Sequence, residues 1–180
     1  MKKLSLALAL ASGLALSLSA QSSANPTSTR FRDILMANQR NMLGAAHEMP
    51  AADYGFRPTA KQWTFRHLIQ HAIMANNYLC AVVTGAAPRR SASKTRGKAG
   101  LIKALSASYA YCRRQLANLS DTGLEKPVVL FGRLHTTRAG AMLVASGDWS
   151  DHYAQAAMYL RLKGLLPPSA QRGRSMPRHK

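Results

Sequence analysis

Acidic residues are scarce: 7 Asp and Glu stand against 25 Lys and Arg, for a formal charge of +18. Cysteine is nearly absent. Two Cys, at positions 80 and 112, make no disulfide scaffold, so an apolar core must carry most of the stability. No Cys follows the N-terminal apolar run, which argues against a lipoprotein anchor. There is no convincing strand pattern and no internal repeat. Also missing are a Ser-His-Asp order, a phosphate loop and a paired-Cys metal motif. Basic residues are not interleaved with aromatics, so nucleic acid is a minority reading of the charge.

What is present begins with a leader. Lys2 and Lys3 precede an apolar run, Leu4 to Leu18, too short to span a bilayer with margin. Small residues follow, and cleavage after Ala20 or as late as Ala24 fits a secretory signal peptide. A retained membrane anchor is the alternative. The expected location is therefore periplasmic or secreted. Without Lys2 and Lys3 the net charge is +16. Much of it lies in two polar stretches, Pro88 to Lys98 and Gln171 to Lys180. They read as a solvated basic loop and a disordered basic tail, and an anionic surface or polyanion is their candidate partner.

Between leader and tail, residues 28–170 hold one domain with four helical stretches. The first is expected from an N-cap at Ser28 to Glu48, with Phe31, Ile34, Leu35, Met42 and Ala45 inward. The second runs from near Gln62 to Val83, with Phe65, Leu68, Ile69, Ala72, Ile73 and Leu79 buried. The third covers Ala99 to Leu119, with Leu101, Leu105, Tyr109 and Leu116 inward. Residues Ser120 to Arg133 read as irregular. The fourth starts at Thr136 or Arg138 and ends at Lys163, with Gly164 as its C-cap and Pro167-Pro168 beyond. Helices of about twenty residues are roughly 30 Å long and suit an all-α four-helix bundle.

The two Cys bear on topology. In a simple antiparallel hairpin of helices two and three, Cys112 would lie roughly 15–20 Å from Cys80 along the axis, too far for a bond. If the helices run parallel, both Cys fall toward one end. The connection Gly85 to Lys98, about fourteen residues, can span roughly 45 Å. The parallel arrangement with a long crossover loop is therefore expected. Cys80 and Cys112 then pair, or remain as two buried free thiols.

Chemistry concentrates near the C-terminus. Asp148 and His152 lie at i and i+4, on one helix face with Val144, Gln155 and Tyr159. Helix two offers His71, with His67 one turn earlier. One His from helix two, with Asp148 and His152 from helix four, would make three metal ligands with open positions, an arrangement suited to Zn, Ni, Fe or Mn. Asp148 could instead cap a helix after Gly147, and His152 could be an ordinary satisfied histidine. His47 and His135 lie near helix ends and read as surface residues.

Two separated segments carry a resemblance. "MPAADYGFRPTAKQWTFRHLIQHAIMANNYLC" and, far later, "DHYAQAAMYLRLKGLLPPS" resemble the DinB (YfiT-like) superfamily, as does "KAGLIKALSASYAYC" between them. The likeness spans about residues 28–170. It implies a four-helix bundle with a divalent metal on three His, one from helix two and an H-x-x-x-H pair on helix four. His71 and His152 match; the remaining position is Asp148, a departure. A carboxylate still serves such metals, so the site survives as two His and one Asp, or is lost. The resemblance further implies thiol-dependent transferase chemistry or an isomerase that uses a low-molecular-weight thiol, with the metal binding and polarising a thiol or a water. The cosubstrate of a cytosolic thiol transferase would be missing outside the cell, which favours hydrolysis. Substrate and catalytic groups are not named by these residues. A non-catalytic bundle that binds an anionic partner through loop and tail is the other reading, and a homodimer is open to either.

Overall fold

Helical spacing in the sequence becomes four long helices in the computed structural model, which describes residues 24–88 and 97–174. The leader, most of the basic loop and residues 175–180 lie outside the described residues. The helices are α1 (Pro26–Glu48), α2 (Phe65–Thr84), α3 (Lys98–Leu116) and α4 (Arg138–Leu162). Their apolar stripes meet in one core built on Leu35, Met42, Phe65, Ile69, Leu101, Leu105, Tyr109 and Leu160. Among the described residues no helix is long and apolar enough to cross a membrane.

Helices α2 and α3 run parallel. Asn76 bonds Ser108, Cys80 is bridged to Cys112 with Cα atoms 5.2 Å apart, and Thr84 bonds Gln115. Partners advance together along both helices, as the cysteine argument expects. Helix α1 is antiparallel to α3: Arg32 bonds the Leu119 carbonyl and Lys98 the His47 carbonyl. Helix α4 is antiparallel to α2, since Arg138 meets Thr84 while Tyr159 meets Trp63. The order is up, down, down, up.

Four local expectations need correction. Helix α1 starts before Ser28, which is buried in its first turn behind Asn25. Asn25 caps nothing in its own helix. The cap comes instead from Asp121, whose carboxylate accepts from the N–H groups of Thr27 (3.0 Å) and Ser28 (2.7 Å). The side chain of Asn25 in turn accepts from the Asp121 N–H. Helix α2 starts at Phe65, because Thr64 supplies the N-cap and accepts from the His67 N–H. Residues 120–133 are not wholly irregular: β1 (Pro127–Leu130) pairs antiparallel with β2 (Leu134–Thr137). Phe131 (φ 55°) and Gly132 (φ 70°) both sit in the left-handed region, the backbone of a tight hairpin turn. Both strands are short and largely exposed, so no alternation marks them in the sequence. Finally, the basic tail begins in a helix, α5 (Pro168–Arg174), rather than as disordered chain from Gln171. It packs on α1 at Gly44, where a Cβ would lie 2.7 Å from Pro168 Cγ. Gln171 bonds Glu48 and the Leu166 carbonyl.

The Asp121 cap carries a pH dependence. Desolvation pushes its carboxyl up, but hydrogen bonds from Ser28 and Thr27 outweigh this and hold it at about 2, against 3.8 ordinarily. Its folded-state value is depressed, so its contribution is complete above about pH 4 and is lost as pH falls toward 2. Asp121→Ala is expected to lower Tm near neutral pH and to narrow its gap from wild type between about pH 4 and pH 2. A constant gap across that interval in a thermal series would contradict the cap.

Candidate metal centre

Helix α4 has its N-cap at Thr137, whose hydroxyl accepts from the Gly140 N–H, and continues to Leu162. Asp148 therefore lies mid-helix and does not start one. The i, i+4 spacing places it beside His152, with His152 Nδ1 3.2 Å from Asp148 Oδ2. Antiparallel packing of α2 on α4 brings the His71 ring to 4.7 Å from that of His152. One donor atom from each of His71, Asp148 and His152 lies within 4.8 Å of the others. His152 is buried, and His71 and Asp148 are half-buried.

The donors suit a divalent ion. His nitrogen and carboxylate oxygen are the ligands that Zn, Ni, Fe(II) and Mn accept. Tetrahedral donors about 2.1 Å from an ion lie roughly 3.4 Å apart, so a pair at the 4.8 Å limit closes by about 1.4 Å on binding. Asp148 Oδ2 and His152 Nδ1 are buried and face each other at 3.2 Å, with no other hydrogen-bond partner. Buried polar atoms left this way are costly unless something else satisfies them. Burial pulls the His71 imidazole below its usual pKa, and neighbouring His152 adds to this. Burial also pulls on His152, but the Asp148 carboxylate outweighs it and the net shift is upward.

The remaining histidines among the described residues separate clearly. His47 and His135 are exposed at the surface. His67 is exposed too and packs against Trp63, with ring centroids 4.6 Å apart. Trp63 also covers His71 at 4.7 Å. Of the residues sharing the Asp148 face, Val144 is half-buried against the core, Gln155 bonds Asp151, and Tyr159 donates to the Trp63 carbonyl at 2.6 Å. That last bond pins the loop before α2 onto α4.

Sequence reading missed the residues that hold the ligands in place. Trp149, next to Asp148, stacks on Phe31 at 5.1 Å and donates from Nε1 to Asn76 Oδ1 at 2.9 Å. The Asn76 side-chain amide donates to the Ser108 hydroxyl. Asn38 on α1 donates to the Trp149 carbonyl and accepts from Tyr109. This buried chain joins all four helices beside the triad. Its one legible signal was polar residues placed among apolar ones, as with Asn76 just past the middle of α2.

Comparisons with known proteins agree with this architecture. A family model described as the DinB superfamily matches residues 34–156, a span containing all three candidate ligands. A DinB-like protein from Bacillus subtilis has a similar structure, with a TM-score of 0.64 and 14% identity over 75% of this chain and 92% of that one. A DinB-like protein from Bacillus cereus gives 0.61 and 12%, covering 77% and 93%. A conserved protein from Enterococcus faecalis gives 0.62 and 15%, covering 76% and 96%. At such identities the likeness concerns the fold alone. No curated protein matches the chain.

Proposed function

This chain belongs to the DinB superfamily, and from that premise we propose that it is a metal-binding member in which His71, Asp148 and His152 hold one divalent ion. The observation that carries this is the convergence of two imidazoles and one carboxylate within 4.8 Å, two of the facing atoms being buried with no partner but each other. When bound, the metal supplies Lewis-acid polarisation of a substrate oxygen or thiol. Hydrolysis is the reaction class favoured, with thiol-dependent transfer second. The chain's own residues orient the site. Asn76 holds Trp149, which sets the helix face carrying Asp148 and His152. Trp63 shields the His71 edge from water. Elemental analysis of the purified protein is the test: about one Zn, Ni, Fe or Mn per chain is expected. A protein that stays metal-free after equilibration with each of these ions refutes the assignment.

Export is part of the same proposal. The leader's layout and the Cys80–Cys112 bridge, both cysteines fully buried, support an oxidising compartment. Protein from a periplasmic fraction is expected to begin at residue 21 or 25 and to show no titratable thiol when denatured without reductant. An intact N-terminus with two free thiols would contradict export.

A further inference from the structure

Beside the triad lies a cleft of about 320 Å³ lined by Lys61, Gln62, Trp63, Gln155, Met158 and Tyr159. Its position follows from local structure. The loop before α2 is tied down by the Tyr159 hydroxyl on the Trp63 carbonyl, so Trp63 stands between cleft and metal centre. One part of its ring system meets His67 and His71, and the residue remains 41% exposed. On α4 the succession His152, Gln155, Tyr159 follows one face, so the cleft residues Gln155 and Tyr159 lie one and two turns beyond a candidate ligand. The volume is at the lower end of small-molecule sites.

The lining defines the occupant. Trp63, Met158 at 52% exposure, and the Tyr159 ring offer apolar walls, and an exposed indole beside a thioether suits a flat ring. The Tyr159 hydroxyl is already engaged by the Trp63 carbonyl. The polar lining is the Gln62 amide, the Gln155 amide, which donates to Asp151, and Lys61, and no carboxylate is itself among the lining residues. The +18 charge of the chain favours anions over cations here as well. We propose that this cleft is the substrate subsite of the metal centre and takes a small aromatic anion, its ring between Trp63 and Met158 and its acid group toward Lys61. This rests on the metal-binding reading only for the word substrate; the cleft and its lining stand without a metal.

The probe is 2-naphthoate, titrated by its own fluorescence into the purified protein before and after EDTA treatment. Binding is expected in both. Lys61→Gln is expected to weaken it about fivefold, as for an exposed ion pair, and Trp63→Leu about tenfold. The cation of matching shape, 2-naphthylmethylamine, is expected to bind more weakly than the acid. Equal affinity of wild type and both variants for naphthoate overturns the subsite, and so does an amine that binds as tightly as the acid. Nickel titration of the same wild-type and Lys61→Gln samples separates the two proposals. Nickel uptake without Lys61- and Trp63-dependent naphthoate binding removes the cleft alone. Naphthoate binding as described without nickel uptake supports the cleft and removes the metal.

Discussion

His71→Ala and His152→Ala are each expected to abolish stoichiometric metal binding. Removing a partner that merely orients a ligand costs about 10–100-fold in affinity. Removing a ligand from a set of three should exceed the upper figure, so Kd rises by more than about 100-fold. Asp148→Ala is expected to weaken binding less, because both imidazoles remain. Asp148→His is expected to retain or strengthen it, since the i, i+4 spacing keeps the new ring on the same face. Calorimetric titration with Ni²⁺ or Zn²⁺ reads all four variants, and far-ultraviolet circular dichroism checks that each remains helical. Full occupancy in a His71→Ala, His152→Ala double variant would remove the triad from consideration. The three side chains come from two antiparallel helices that also share the apolar core, so each variant is expected to remain helical.

Trp149→Ala is expected to be among the most destabilising single changes in the chain. Trp149 is 2% exposed, stacks on Phe31 and donates to Asn76. Truncation of a buried Trp costs about 3–5 kcal/mol. The change also leaves Asn76 Oδ1 without its donor in the core. At about 2–4 °C per kcal/mol for a chain of this size, Tm should fall by roughly 6–20 °C. Trp149→Phe should recover much of the stacking but not the hydrogen bond, and should fall between the two. Thermal unfolding followed by circular dichroism checks this. A Tm within about 2 °C of wild type for Trp149→Ala would mean that the buried polar chain contributes little. Because Trp149 neighbours Asp148, the same variant should also weaken metal binding, through disorder of the helix face rather than loss of a ligand.

The contrast between these residues shows how far the sequence could be read. Asp148 and His152 were visible because four-residue spacing is a local signal. His71 was visible because it borders an apolar stripe that sequence periodicity reveals. Trp149 and Asn76 were not, because their bond joins residues 73 apart and leaves no mark on either neighbourhood. The Asn38 bond to Trp149 spans 111 residues. The same reason explains Asp121: a cap supplied from another part of the chain cannot be read at the helix it caps. Ser28, the residue type expected at a cap, was chosen on local chemistry and lies inside the first turn.

Four helices, their buried faces and the parallel course of α2 and α3 were therefore determined by the sequence itself. Helical periodicity records each buried face, and two cysteines joined by so long a connection leave parallel helices as the arrangement that brings them together. Tertiary structure alone decided that Trp63 stands over His71, that Trp149 and Asn76 bond beside the α4 pair, and that a hairpin fills residues 127–137. Those outcomes depend on the rotation of one helix against another. A rotation of one residue position, about 100°, moves a side chain from one face to another, and only the packed core sets it.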